Sequence, residues 1–502
     1  MTTTKASQQA SVLHPDLILP TERALYYGGA WHRPVKGKST VSISPATGEA
    51  LGSAPDATTE DVNQAVAAAQ EGFNTWRRFT PAERAARLRA AAEVIRRHGK
   101  ELALLDAADG GNPVSEMISD AAAASRQFDF FAGLVTEMKG SSIPMGPDAV
   151  NFSVREPMGV VARIVAFNHP FMFTAAKMAA PLAAGNVVIM KPPEQAPLSG
   201  LRLAELIGPL FPPGVVNIIT GGREAGEALS DHPGIAMVTL IGSVPTGRAV
   251  MKSAADRLKP VILELGGKNA IIALADADPE AVAVAAVSGM NFTWCGQSCG
   301  SMSRAFLHES IHDEVVERMG KHIAKYKPGV PTDTATTMGS LISKVQFDKV
   351  LSYIEAGKSE GARLMYGGTR PQDPALAKGF FIEPTVFTEV KQSMRIATEE
   401  IFGPVQSVLR WSDHGEMLKQ VNSVDYGLTC SIFTNDLGMA HRTAAEVQAG
   451  YIWVNHTSQH FLGAPFGGYK QSGIGREECL AELLSFTLEK NIHIRLAPLR
   501  TA

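Results

Sequence analysis

The sequence predicts an α/β fold built on a mainly parallel sheet covered by helices on both faces. Two observations carry that prediction. From Gly159 onward, short β-rich apolar runs alternate with helical stretches, and the strand runs are almost continuously apolar. That is the pattern of strands buried on both faces. Directly after these runs stand Asn168, Lys191, Gly221–Gly222, Gly242–Ser243 and Gly266–Gly267. Ligands of open parallel sheets bind beyond the carboxyl ends of the strands, so one rim of the sheet gathers the residues able to do chemistry.

Taken in order, residues 1–20 read as a flexible arm and Tyr26–Ser53 as short strands and turns. Two helices follow. The second opens with Thr80-Pro81-Ala82-Glu83, a capping box with proline at the first helical position, and continues amphipathically through Arg84–His98. Strands are expected at Val160–Phe167, Val187–Met190, Val215–Thr220, Met237–Ile241 and Val261–Leu265. Helices are expected at Ala175–Ala184, Leu201–Phe211, Glu224–Ser230 and Thr246–Leu258. A second α/β segment runs from Asn269 to about Gly468, and Lys490–Leu496 alternates like a strand that pairs with another segment or another subunit.

At 502 residues the chain is too long for one hydrophobic core. Its net charge of −3 and lack of a Lys/Arg cluster argue against nucleic-acid binding. No apolar run approaches the roughly 18 residues of a membrane span, and polar Met1–Gln9 does not read as a signal peptide. A cytoplasmic location is the expectation. The four cysteines, Cys295, Cys299, Cys430 and Cys479, fit neither a disulfide framework nor a metal site.

Three strings carry chemistry. Cys299 lies in Trp294-Cys295-Gly296-Gln297-Ser298-Cys299-Gly300, Glu264 opens Glu264-Leu265-Gly266-Gly267-Lys268-Asn269, and Asn168 sits in Phe167-Asn168-His169-Pro170-Phe171. A thiolate that adds to a carbonyl, an amide that holds the oxyanion and a carboxylate that activates water are what covalent oxidation of an aldehyde requires. The thiolate needs a lowered pKa, which a nearby nicotinamide cation and a helix dipole could supply. Taken singly, each residue has an ordinary structural reading: inert core thiol, turn-capping carboxylate, Asx turn.

The cofactor is read from two turns. Thr220-Gly221-Gly222-Arg223-Glu224-Ala225-Gly226 follows a strand and opens a helix, but is not a clean G-x-G-x-x-G. Gly242-Ser243 precedes a second helix, whose N-terminal N–H groups suit a pyrophosphate. Lys191 and Glu194 suit ribose hydroxyls. An acid near the 2′-hydroxyl favours NAD over NADP. A surface Lys/Glu pair is the alternative.

Together these residues resemble the aldehyde dehydrogenase superfamily in its non-acylating, NAD(P)-dependent branch. Glu399-Glu400-Ile401-Phe402-Gly403-Pro404, Tyr426-Gly427-Leu428-Thr429 and Pro465-Phe466-Gly467-Gly468-Tyr469-Lys470-Gln471-Ser472-Gly473 through Arg476-Glu477 extend the resemblance over Tyr26–Leu496. It implies a Rossmann-like NAD-binding domain (21–139 and 160–266), an α/β catalytic domain (267–484) and a small β oligomerisation element (140–159 and 485–502) of a homodimer or homotetramer. It also implies Lys191 and Glu194 at the adenine-side ribose, Gly222, Gly226, Gly242, Ser243 and Leu265 around the dinucleotide, Glu400 on the nicotinamide ribose and Phe402 beside the nicotinamide. Lys177 and Glu477 match a proton relay to the base, or form a structural ion pair. The base at Glu264 favours release of the free acid over transfer to coenzyme A. An ester hydrolase using the same thiol leaves the nucleotide turns unexplained, and a non-catalytic paralogue leaves the intact Cys, Glu and Asn unexplained.

The chain departs from the family at several places. Phe167 stands where tryptophan is frequent, and His169 where relatives often carry an aromatic or apolar residue. Ala176 takes a bulky position, which predicts a wider substrate tunnel. Phe173, Trp294, Ser298, His456, His460 and Phe466 complete the candidate pocket. Histidines and aromatics suggest an aromatic or bulky polar aldehyde, for instance a hydroxylated benzaldehyde. Aliphatic and trimethylammonium aldehydes stay open, as does a reading in which the histidines face solvent.

Overall fold

The computed structural model describes residues 14–496. An eight-stranded sheet occupies the first part of the chain, with neighbours in the order Ala30–His32, Leu25–Tyr27, Val216–Ile218, Val187–Lys191, Val160–Ile164, Met237–Ile241, Val261–Glu264 and Gly473–Ile474. The five inner strands, from Val216–Ile218 to Val261–Glu264, are parallel. Chain order runs outward from Val160–Ile164 in one direction and then resumes on its other side at Met237–Ile241. Such a reversal opens a crevice at the carboxyl ends of the two strands. Asn168 follows the first of them and Ser243 the second.

Gly473–Ile474, far along the chain, completes this sheet by pairing antiparallel with Leu263 and Glu264. A Cβ on Gly473, at φ +142°, would lie 1.9 Å from the Leu263 carbonyl oxygen, so only glycine permits the approach.

The second sheet has seven strands, in the order Arg363–Tyr366, Thr385–Thr388, Val405–Trp411, Arg304–His308, Ala270–Ala273, Thr429–Phe433 and Tyr451–Val454. All but its first pair are parallel. Each sheet is clad in its own apolar clusters, one around Val188, Ala180 and Phe128 and others around Ile272, Phe306 and Val282. A three-stranded antiparallel ribbon is separate from both. Ala149–Pro157 lies between Thr487–Arg495 and Ser142–Ile143. The C-terminal strand thus finds its partner within its own chain.

Several boundaries differ from expectation. Four helices, not two, lie between the early strands and the ribbon: Thr59–Trp76, Pro81–Arg97, Gly99–Gly110 and Val114–Gly133. The capping box at Thr80 and Glu83 is formed as expected. The third and fourth helices follow closely, and the third is buried along most of its length, so amphipathic spacing gives little sign of it. The helix expected at Ala175–Ala184 begins at Pro170 and breaks into Pro170–Ala176 and Ala179–Ala183; Pro170 at its first position sets that start. The Leu201–Phe211 helix runs from Leu198 to Ile207 and ends in a turn at Gly208–Leu210. Of the expected arm, residues 1–13 lie outside the described residues, while Leu17 and Leu19 pack against the core, so that part is anchored.

Among the described residues, no helix is long and apolar enough to cross a membrane, and no cluster of His, Cys, Asp and Glu could hold a metal ion.

Candidate active site

Cys299 follows a tight turn at Phe292–Trp294 flanked by residues in the left-handed region: Asn291 at φ +56°, Cys295 at +55° and Gly296 at +66°. Glycine takes this conformation without penalty, whereas a non-glycine residue such as Cys295 stores strain, which concentrates at functional sites. Cys295 is fully buried, and its thiol faces core. A Cβ on Gly296 would lie 2.2 Å from the Gly403 carbonyl oxygen, so the cysteine turn is pressed onto the segment that carries Glu400 and Phe402. Phe402 is itself left-handed, at φ +58°.

Asn269 fixes the other side of this loop. Its amide donates to the carbonyls of Cys299 (2.6 Å) and Ser301 (3.0 Å), and its side-chain oxygen accepts from the Thr429 N–H. Cys299 itself is only partly buried and in no disulfide. Burial, then the negative fields of Glu264 and Glu400, push its thiol up to about 12, while the N–H groups of Cys299 and Gly300 pull the other way. The lowering expected from sequence relies on a positive charge brought beside the sulfur.

Asn168 is buried, and its carbonyl accepts from the Asn112 amide at 2.8 Å. Its own side-chain amide has no hydrogen-bond partner among the described residues, which leaves its donors free. Phe167 meets Phe402 edge to face at 5.7 Å between ring centres. The rim of the first sheet thus touches the Glu400 segment.

Glu264 ends the strand Val261–Glu264 and is buried, and neither carboxylate oxygen is hydrogen-bonded among the described residues. Burial drives its pKa well above the ordinary 4.5; Glu477 adds to the rise and Lys177 opposes it. Lys177 lies 2.8 Å from Glu477, which also holds Arg163 at 2.6 Å; Arg163 reaches Glu482 at 3.3 Å. Glu482 accepts from the Glu478 N–H, and Glu478 pairs with His460 at 3.1 Å. Arg163, Glu482 and Glu478 were not singled out from sequence. The only signal was an arginine inside the apolar strand Val160–Ile164.

The residues expected to hold a dinucleotide lie around the crevice. Lys191 ends its strand opposite Ile164 and is buried, with only a long contact of 3.4 Å to the Pro192 carbonyl. Burial lowers its pKa, and Glu194 and Asp56 oppose that. A Cβ on Gly222 would lie 2.7 Å from Glu194 Oε2, and one on Gly226 3.9 Å from Lys191 Cε. Ser243 caps the twelve-residue helix Val244–Ala255, while the Gly242 N–H donates to the Glu264 carbonyl at 3.0 Å. Leu265 packs over Gly247, where a Cβ would lie 2.6 Å from its Cδ1. Glu400 accepts from the Gly267 N–H at 2.8 Å, and its carboxylate fills the space a Cβ on Gly266 would need. A lysine, an acid, side-chain-free glycines and a helix N-terminus around one crevice fit a dinucleotide.

The candidate pocket residues divide into three groups. His169, Phe173 and Trp294 form one aromatic group, with His169 5.2 Å from Phe173 and 5.6 Å from Trp294. His460 and Phe466 form a second with Tyr451, at 4.5 Å between the first two. Ser298 lines a small cavity with Gly267, Glu400 and Phe402. Ala176 and His456 join none of these. Ala176 is fully buried in the core of the first sheet. His456 is exposed. Asp120, unmarked in the sequence, holds His169 Nδ1 at 2.7 Å. Burial disfavours charge on His169, but Asp120, Asp106 and Glu116 outweigh it and raise its pKa.

Comparison with known proteins agrees with this architecture. The aldehyde dehydrogenase family matches residues 31–492. A Talaromyces stipitatus protein named aldehyde dehydrogenase tropH is 52% identical over 95% of this chain and 94% of its own. A Brucella anthropi betaine aldehyde dehydrogenase is 41% identical over 94% and 97%. The NAD+ complex of an aldehyde dehydrogenase from Bacillus cereus superposes with a TM-score of 0.92 at 38% identity, covering 95% of this chain and 97% of that one. A mutant of the indole-3-acetaldehyde dehydrogenase of P. syringae, solved in complex with NAD+ and IAA, gives 0.92 at 35% identity over 96% and 97%.

Proposed function

Since the chain belongs to the aldehyde dehydrogenase family and its reaction is the NAD-dependent oxidation of an aldehyde, we propose that Cys299, Asn168 and Glu264 carry that reaction. The observation that bears most weight is Glu264, a buried carboxylate with no hydrogen-bond partner. Folding alone does not reward such a group, because an unpaired buried charge is costly. A general base that must take a proton from water needs that freedom.

In this reading the Cys299 thiolate attacks the aldehyde carbon to give a thiohemiacetal. The free amide of Asn168 and the Cys299 N–H hold the oxyanion. NAD, when bound, supplies the hydride acceptor that makes the thioester possible. Glu264 then takes a proton from water as it attacks the thioester, and the acid leaves. Lys177 and Glu477 move protons to and from Glu264. Lys191, Glu194, Gly222, Gly226, Gly242, Ser243, Leu265, Glu400 and Phe402 hold NAD. We read 21–139 with 160–266 as the cofactor domain and 267–484 as the catalytic domain.

The substrate is an aromatic aldehyde. The His169, Phe173 and Trp294 rings, beside Asn168 and just ahead of Cys299 in the chain, support this. So does the indole aldehyde named for the P. syringae structure. The chain works as a homodimer or homotetramer. Leu488, Ile494, Val150 and Ile143 stand exposed on the ribbon, whose outer strand Thr487–Arg495 has a free edge. Four free cysteines support a reducing, cytoplasmic setting.

NADH formation with benzaldehyde, wild type beside Cys299→Ala, tests the core of this reading. Turnover that disappears in Cys299→Ala supports it, and turnover that survives overturns it.

A further inference from the structure

The aromatic group beside Asn168 contains two nitrogen atoms without a hydrogen-bond partner among the described residues. The Trp294 indole N–H is one, and it is buried. His169 Nδ1 is committed to Asp120 at 2.7 Å, and its Nε2 has no partner among the described residues. The two rings pack 5.6 Å apart between centres, and the His169 side chain is only 15% exposed. Leaving the buried indole N–H unpaired is costly, so a ligand group that accepts from it is favoured, and His169 Nε2 stands available beside it.

We propose that the Trp294 indole N–H and His169 Nε2, with His169 oriented by Asp120, recognise a hydroxyl on the ring of the aldehyde. A hydroxyl is the oxygen group that serves both nitrogens whatever the charge on histidine. Its oxygen accepts from the indole N–H. Its proton donates to Nε2 of a neutral imidazole, or its oxygen accepts a second bond from an imidazolium. An unsubstituted ring leaves both nitrogens unsatisfied. A trimethylammonium group, which has no hydrogen-bonding atom, does the same while displacing water. The residues responsible lie far apart in sequence: Asp120 on the helix Val114–Gly133, His169 at the start of Pro170–Ala176, Trp294 on the turn before Cys299. The proposal rests on the reading of Asn168 and Cys299 as the reacting end of the pocket.

The test compares kcat/KM for 3- and 4-hydroxybenzaldehyde with that for benzaldehyde and betaine aldehyde. It uses the full-length protein, Trp294→Phe, His169→Phe and Asp120→Asn. The wild type is expected to favour at least one hydroxylated ring over benzaldehyde by on the order of tenfold to a hundredfold, mainly through KM. Trp294→Phe keeps an aromatic side chain but removes the indole N–H, so it should bring that ratio towards one. His169→Phe should do the same, with a smaller fall in Asp120→Asn. Variants that slow both aldehydes equally and preserve the ratio indicate a structural role and overturn the proposal. So does a wild type without preference that still turns over benzaldehyde through Cys299. Absence of any Cys299-dependent turnover overturns the underlying assignment of the site instead.

Discussion

Lys177 donates to Glu477 across 2.8 Å with both side chains buried, and this pair sets the field in which Glu264 titrates. Arg163 and Glu482 extend the pair. Burial raises the Glu264 pKa most; Glu477 and Glu478 add to the rise, and Lys177 and Arg476 oppose it.

The pH profile should show this. A carboxylate acts as a base only when ionised, and burial raises the Glu264 pKa above 4.5. The steady-state kcat should therefore climb with pH at values above the ordinary carboxylate range wherever thioester hydrolysis limits turnover. Glu264→Gln should give about one equivalent of NADH per subunit in a rapid burst, then near arrest. A stopped-flow trace checks both, and a full steady rate in Glu264→Gln excludes this residue as the base.

The same shift predicts a stability effect. A carboxylate with a raised folded-state pKa binds its proton more tightly in the folded protein. Stability then falls as pH rises from the unfolded value through the folded one. Glu264→Gln removes that loss, so its Tm should gain on the wild type as pH rises above the ordinary carboxylate range. Parallel Tm curves contradict the assignment.

Lys177→Met strips one cation from Glu477 and from the field at Glu264. Removing one member of a buried pair costs about 3–5 kcal/mol, and Arg163, still on Glu477, should hold the loss near the lower figure. Denaturant unfolding measures it. The rising limb of the kcat profile should also move to higher pH, which a purely structural pair does not require.

Asn168→Ala removes a free donor without leaving a broken protein contact from its side chain. Loss of one oxyanion donor lowers kcat by roughly a hundredfold to a thousandfold, about 3–4 kcal/mol. Circular dichroism and Tm should stay near wild type. A change confined to KM argues that Asn168 positions the substrate instead.

Gly266→Ala places a Cβ where the Glu400 carboxylate now lies, 2.2 Å from Oε2. A carboxylate at the end of a flexible side chain can swing away, so the fold should survive while the contact to the Gly267 N–H is lost. The KM for NAD should rise on the order of tenfold, with a smaller change in aldehyde KM. An unchanged KM for NAD argues against Glu400 as a ribose ligand.

Much of the site was legible because strand ends are legible. The apolar runs ending near Ile164, Lys191, Ile241 and Glu264 mark the rim that gathers Asn168, Ser243 and the base. Legibility failed where partners are distant in sequence and chemically ordinary. Nothing near Asp120 announces that it meets His169, 49 residues later. A small residue is ambiguous in sequence for another reason: it reads as space, but close packing favours it too, and Ala176 is buried in the core of the first sheet. One helix onset slipped at Pro170, where no capping box like that at Thr80 and Glu83 marks the start.

The short strand Gly473–Ile474 bears on how this protein tolerates recombination. A chimera that takes residues 160–266 from one parent and the remainder from another splits an antiparallel pair, Leu263 with Ile474 and Glu264 with Gly473, between two ancestries. The strand that presents the base would then rest on a foreign edge. Crossovers that exchange cofactor preference are best placed so that both segments travel together, and libraries that ignore this should yield folded but sluggish hybrids.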